Sequence, residues 1–294
     1  MRAGDFLIFL LLPLAVLGVW VVYPILATVV LSFTTQAGLS FSNYVDVIFE
    51  KSPLKALIYP EPGPYPPWGA LIHNALWIAI GLPLVLFLGV VLAYLLRETY
   101  GSSVVRSIIF LGMVLPGVVS GLVIRFMFDA DIGVFPRVFS LLGVQELART
   151  WTIYPQTALF ALILGSVWLW LGFSVTIFSA GLDAIPRTTI EAAVIDGASP
   201  VQVFFKVVLP QLRPVTLVVA LMTIMWILKI FDIVYVATGG GPGGSSTVLA
   251  LIMYNYFASA LEYNKAAAVA TILALLTLVP ATMYVKSVLS GEKQ

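Results

Sequence analysis

Lys229 and Asp232 stand three residues apart inside a run of apolar residues. An ionisable side chain at membrane depth is costly and turns towards protein or water. On one helix that spacing puts the two charges on a common face, where they can pair. The plainer reading is an ion pair that holds a bundle of helices together. The sharper one is a polar station on a solute route. Trp226 lies three residues before Lys229, and Trp168, Trp170 and Gly172 mark an earlier apolar stretch. Aromatic rings beside a few polar groups suit a sugar, whose ring has apolar faces and hydroxyl edges. Tryptophans in membrane helices are more often packing or interface residues, so the rings alone decide little.

Other chemistries lack their residues. The chain has no cysteine, which removes disulfides, thiol catalysis and Cys-ligated metals. Its one histidine, His73, begins the second apolar segment and is expected as an interfacial polar residue. With no second histidine, no metal site is expected. No nucleophile–base set or acid–base pair can be assembled. The glycine run from Gly239 to Gly244 is not followed by the lysine of a GxxxxGK[ST] phosphate loop, so no ATP hydrolysis is expected of this chain. A net charge of +1 suggests no nucleic-acid partner.

The elements that must position these residues are membrane helices. The 294 residues are 61% hydrophobic and 10% charged, which points to an all-α protein crossing a lipid membrane several times. Six spans are expected, at about 6–33, 71–96, 104–128, 156–182, 215–237 and 265–289, within a single domain over 1–294. The first is too long for a signal-peptide core and lacks a small-residue cleavage site, so it is read as retained. Pro13 and Pro24 can kink it. Pro116-Gly117 interrupts the third, and Arg125 lies near its far end. Short helices are expected at 43–49 and 134–142. The Pro- and Gly-rich stretch 60–69 reads as extended, and 248–260 reads as interfacial or re-entrant.

Residues 183–214 form a polar loop with a helix–turn–helix pattern. Thr188 and Thr189 are N-cap candidates, with Glu191 in the first turn where a carboxylate suits the helix dipole. Ala192 and Ala193 favour helix and leave little bulk. Gly197 falls where that helix stops, and Ser199-Pro200 can start another. Val201, Phe204 and Phe205 give the second helix an apolar stripe, and Leu209-Pro210 ends it. With this loop inside, the inner loops and ends hold eight Lys and Arg (Arg2, Arg97, Arg106, Arg187, Lys206, Arg213, Lys286, Lys293). The outer side holds five (Lys51, Lys55, Arg137, Arg149, Lys265), which puts both termini in the cytoplasm.

The order Glu191-Ala192-Ala193, Asp196-Gly197-Ala198 and Leu209-Pro210 resembles the EAA signature of ATP-binding-cassette (ABC) importer permeases. The likeness extends to 110–134, which looks like the third-span region of carbohydrate importers. Residues 229–247 look like the span-five exit of maltose and glycerol-phosphate permeases. The resemblance implies a type I importer fold with a family core at about 70–289, and a chain that forms half of a pathway for a sugar or sugar-like solute in the cytoplasmic membrane. It implies separate ATPase subunits that use ATP and Mg, a second permease subunit, and an extracytoplasmic solute-binding protein. Carried over by position, Glu191, Ala192, Ala193, Asp196, Gly197, Ala198, Leu209 and Pro210 meet the ATPase. Gly172, Val175, Trp226, Lys229 and Ile230 line the pathway, and the cost of a charge in lipid adds Asp232 to them. Lys229 and Ile230 stand where maltose-type importers have small polar residues. A rival reading is a secondary transporter driven by an ion gradient. That class predicts broken helices in matching halves, and Pro116-Gly117 shows no sequence counterpart in the second half.

Overall fold

The computed structural model describes residues 3–97 and 99–291. Arg2 and Lys293, counted with the inner charges, lie outside the described residues. The architecture is all-α apart from a two-residue antiparallel pairing of Thr34–Thr35 with Gly38–Leu39.

Among the described residues, four helices are long and apolar enough to cross a membrane. They are Leu10–Phe33, Ala70–Leu95, Pro155–Asp183 and Tyr263–Ser287, here spans one, two, four and six. Span four is the central post. It is apolar all round, as befits a helix enclosed by others, and buried residues from Thr157 to Leu182 occupy every face. Its neighbours approach at glycines, as small residues allow between membrane helices. A Cβ at Gly89 of span two would lie 1.9 Å from Ser174 Oγ, and one at Gly165 would lie 2.7 Å from the Ile124 side chain. Span one leans on span six through Tyr23–Phe33, and a π-type turn at Gly18–Val22 leads into its Pro24 half.

Spans three and five are not straight rods. Span three is Ser102–Val114 followed by Gly117–Met127, bent by 113° at Leu115-Pro116. Proline has no N–H to give and biases the preceding residue away from helix, and Leu115 is extended at ψ 133°. The span-five helix covers only Arg213–Leu228, 16 residues and so about 24 Å long. It bends by 68° at its N-terminal end into Pro200–Gln211. At its C-terminal end the helix stops at Lys229, and a new one begins at Asp232 and runs to Ala237. The continuous helix expected over 215–237 is therefore corrected to two pieces. This break is also the second-half counterpart of Pro116 that the sequence did not reveal.

The segments that link the spans at the end opposite the central loop are tightly built. Residues 60–69 are irregular, and short helices stand at Ser42–Ile48 and Val134–Leu141. The glycine-rich loop is a packed plug: Ser245, Ser246 and Thr247 are fully buried. Gly244 sits at φ +86°, and a Cβ there would meet Pro53 O at 2.5 Å. The apolar piece after it, Leu249–Ser259, is buried along its first turn. Leu249, Ala250 and Ile252 lie in the cluster that holds Leu57, Ala70 and Val269, and Leu251 lies in the one that holds Ile227 and Ile233.

His73 is corrected too. It is fully buried rather than interfacial. Its Nε2 accepts from the Trp68 backbone N–H at 3.1 Å, which leaves Nδ1 to donate to Thr247 O at 2.7 Å. The neutral ring thus clamps the proline-rich loop to the glycine-rich one. Asn74, one residue on, donates to Ile227 O at 3.2 Å and accepts from Leu249 N–H at 3.0 Å. It joins span two to the broken end of span five.

Candidate functional site

The two breaks face one cavity of about 290 Å³. Gly112, Met113, Leu115, Gly117 and Ser120 contribute from span three. Leu169 and Trp170 come from span four, and Trp226 to Ile233 in part from span five. The outer halves of the broken spans pack against each other at glycines. A Cβ at Gly117 would lie 2.7 Å from Asp232 Oδ2, and one at Gly121 would lie 3.0 Å from Val236 Cβ. Gly117 and Asp232 each begin a helix. The Asp232 carboxylate therefore rests where two sets of unpaired N–H groups carry partial positive charge.

The expected Lys229–Asp232 ion pair is absent among the described residues, and the break explains it. Lys229 caps the end of one helix and Asp232 opens the next, so they no longer share a helix face. Both side chains are exposed in the chain and line the cavity. Lys229 is the one cation among the lining residues. Trp226 is held edge-on by Phe173 of span four, with ring centroids 4.9 Å apart. Trp170 packs on the buried Trp77 at 5.9 Å. Trp168 instead lies against Gly112, a packing contact. The lining thus offers two indole rings, an ammonium and a carboxylate around one space.

Of the residues carried over for the pathway, Trp226, Lys229, Ile230 and Asp232 meet in this cavity. Gly172 and Val175 do not. They line a second cavity of about 570 Å³ further along the seam between spans three and four. Its polar lining is Ser102, Ser103, Arg106, Ser107, Thr176 and Ser179. Arg106 Nη2 donates to Leu96 O at 2.9 Å, while its Nε and Ser179 Oγ have no protein partner. Gly172 also lets the helices touch, since a Cβ there would meet Ile109 O at 3.1 Å. The hydroxyl row on span three was missed in the sequence. Serines at 102, 103 and 107 are visible there, but only the cavity they share with Thr176 and Ser179 shows that they face span four.

The central loop is two helices meeting at Gly197. The first is Arg187–Ile195, capped by Pro186. Thr188 and Thr189 are therefore inside the helix and not its caps, and Glu191 lies beyond the first turn. Pro186 ends its role as a helix breaker one residue before the helix, which sets the start earlier than the threonines suggested. At the other end Gly197 N–H donates to Val194 O and Ala198 N–H to Ala193 O, both at 3.0 Å. This double closure needs a left-handed residue, and Gly197 has φ +83°. Ser199 then caps the second helix in a reciprocal box with Gln202.

That second helix continues past Leu209-Pro210 to Gln211, with a π-type turn at Phe204–Val208 just before the proline. Its buried face is Val203, Val208 and Leu212, with Phe204 against Tyr94 at 4.9 Å. Val201 and Phe205 point outward, which corrects the stripe read from the sequence. Around Gly197, Glu191, Ala192, Asp196 and Pro210 are exposed. Ala193, Ala198 and Leu209 are half-buried against the body. Val194 and Ile195 add exposed apolar surface beside them.

Comparisons with known proteins assign the fold and family. Residues 85–289 match the family model described as binding-protein-dependent transport system inner membrane component. A probable ABC transporter permease protein of Pyrococcus horikoshii is 54% identical over 95% of this chain and 96% of its own. The trehalose/maltose transport system permease protein of Thermococcus litoralis is 33% identical over 74% of each chain. Among solved structures, a chain of a bacterial alginate ABC transporter in complex with alginate pentasaccharide-bound periplasmic protein superposes with a TM-score of 0.74. It is 19% identical, and the match covers 96% of this chain and 93% of that one. Broken spans in both halves no longer argue for or against an ion-driven carrier, and the matches decide the class. This chain is a multi-pass membrane protein and belongs to the binding-protein-dependent transport system inner membrane components, the permease subunits of ABC importers.

Proposed function

We propose that this permease forms half of a route for a sugar or sugar-like solute. The observation that carries the reading is the cavity at the two helix breaks, where Trp226 and Trp170 stand beside Lys229 and Asp232. Indole faces match the apolar faces of a sugar ring, and the ammonium and carboxylate match its hydroxyl edges. The relative from Thermococcus litoralis, named for trehalose and maltose, supports the same class. Gly172 and Val175, with the serine row below them, continue the route along spans three and four.

The solute is handed over by an extracytoplasmic binding protein and passes between this chain and a second permease subunit. Separate ATPase subunits, which use ATP and Mg, supply the energy. They dock on the exposed surface around Glu191, Ala192 and Gly197, and their closure moves the central loop and with it span five, which the loop enters through a 68° bend. Both termini are cytoplasmic in this arrangement.

Purification of the tagged chain from cells that express its neighbouring genes tests the assembly. An ATPase and a second permease are expected to copurify. In proteoliposomes with the binding protein, Trp226→Ala is expected to reduce sugar uptake strongly. Copurification of no ATPase would overturn the assembly, and unchanged uptake of every sugar tried in Trp226→Ala would overturn the route.

A further inference from the structure

Helix Val134–Leu141 takes no part in the route. It lies in the outer loop between spans three and four, and two of its rings face the bundle. Phe135 stacks on Phe128 at 4.4 Å and Phe139 on Trp151 at 5.5 Å. A different side of the helix is apolar and bare. Val134, Val138, Leu141 and Leu142 are 63, 44, 80 and 69% exposed. Their spacing of i, i+4, i+7 and i+8 makes one stripe. With Val134 at zero, a turn of about 100° per residue puts the stripe within roughly 50° of a single direction. The same rotation puts Arg137 and Ser140 on a third side. A helix with one side on protein, one aliphatic and one polar is shaped to lie flat where an apolar medium meets water.

Its height in the molecule agrees. Trp151 N–H donates to Phe128 O at 3.0 Å, one residue past the end of span three, and span four begins at Pro155. The helix is thus stacked on rings at the outer ends of two membrane-crossing segments. Trp151, Tyr154 and Arg149, whose guanidinium lies 4.3 Å over the Tyr154 ring, form an aromatic and basic belt at that level. Ile132, 69% exposed, extends the bare surface towards span three. In the chain it follows Val118, Leu122 and Phe126, 52, 41 and 53% exposed, which give the outer half of span three a bare apolar face of its own.

We propose that Val134–Leu141 is an interfacial helix seated in the outer leaflet, with the Val134, Val138, Leu141, Leu142 stripe among acyl chains and Arg137 at headgroup phosphates. It moors the outer half of bent span three to the bilayer. The complete transporter, with partner subunits freed of cysteine, is placed in nanodiscs of phosphatidylcholine and phosphatidylglycerol. The chain has no cysteine of its own, so Leu141→Cys or Ser140→Cys carries a single nitroxide. At position 141 the label is expected to collide with oxygen more, and with a water-soluble nickel chelate several-fold less, than at 140. Adding the binding protein is expected to leave both unchanged. Arg137→Gln is expected to raise nickel collisions at 141, and Arg137→Lys to keep them low. Equal nickel access at 140 and 141 would show the stripe in water and overturn the proposal. Shielding of 141 from both reagents would overturn it in favour of a covering protein. An Arg137→Gln profile identical to the parent would remove the arginine's role.

Discussion

At Gly197 the backbone conformation and the proposed docking surface meet in one residue. Its φ of +83° costs a residue with a side chain about 1 kcal/mol. A Cβ there would meet nothing of this chain within 4 Å, so the chain itself leaves room for a larger residue. If the ATPase seats on this turn, Gly197→Asp intrudes on the partner and Glu191→Ala removes only an exposed charge, worth about 0–1 kcal/mol. Gly197→Asp is expected to lose most of the ATPase on purification while Glu191→Ala retains it; full retention and normal sugar-stimulated hydrolysis in Gly197→Asp would remove the docking assignment. Lys229 calls for a different measurement. A hydrogen bond from an ammonium is worth about 1.5–3 kcal/mol, so Lys229→Ala is expected to weaken apparent uptake affinity roughly ten- to hundredfold. The permease is expected to remain assembled, since Lys229 has no ion-pair partner among the described residues. Loss of assembly with uptake per complex unchanged would return Lys229 to a structural role.

Among the elements, the broken span five is held by polar contacts, and span four by close packing. Asn74 gives Ile227 O a second donor beside the Ile230 N–H, and accepts from the first N–H of Leu249–Tyr254. Asn74→Leu keeps the volume but leaves the buried Leu249 N–H unpaired, at about 1–3 kcal/mol. A fall in the thermal midpoint of the purified permease is expected, and an unchanged midpoint would show that water or relaxation replaces the amide. Gly89 gives the steric counterpart. Its missing Cβ would lie 1.9 Å from Ser174 Oγ, and Ser174 Oγ already donates to Val85 O at 3.0 Å. Gly89→Val must therefore push spans two and four apart. Overpacking of this kind costs about 1–3 kcal/mol, and expression in the membrane is expected to drop well below that of the parent, for Gly89→Ala as well, since the Cβ alone already clashes.

Across the whole molecule, ion pairs join segments at both ends of the bundle: Arg97 lies 3.7 Å from Asp183 at one end, and Glu262 gathers two lysines at the other. Glu262 lies 2.6 Å from Lys265 and 3.5 Å from Lys55, and so ties the first outer loop to the start of span six. The hydrogen bond from Lys265 holds the Glu262 carboxyl below its ordinary range, with burial opposing and the charges of Lys265 and Lys55 assisting. A depressed carboxyl contributes stability above its unfolded pKa and loses it as pH falls through the folded one. The parent is thus expected to lose stability on acidification through the carboxylate range, and Glu262→Gln to flatten that limb of the thermal midpoint against pH. An identical acid limb in both would remove Glu262 from the account. The orientation is tested on the same cysteine-free background. Single cysteines between Pro60 and Gly69 are expected to react with an impermeant reagent from outside, and labelling only from the cytoplasm would invert the topology.

The sequence by itself determined the class of fold, because long apolar runs and backbone hydrogen bonding in lipid leave helices as the spanning form. It also showed the central loop's turn, since Gly197 and Ser199-Pro200 act through neighbours only a few residues away. The caps at Thr188 and Thr189 were misread because Pro186 starts the helix earlier. Tertiary structure alone decided the rest. The stop at Lys229 has no proline or glycine to announce it; Asn74, more than a hundred residues earlier in the chain, completes its hydrogen bonds. His73 looked interfacial because its two partners, Trp68 and Thr247, come together only when the outer loops close over span two. The cavity's membership follows from the same cause: a bend of 113° in span three brings Gly117 against Asp232, a contact that residue spacing along either helix does not contain.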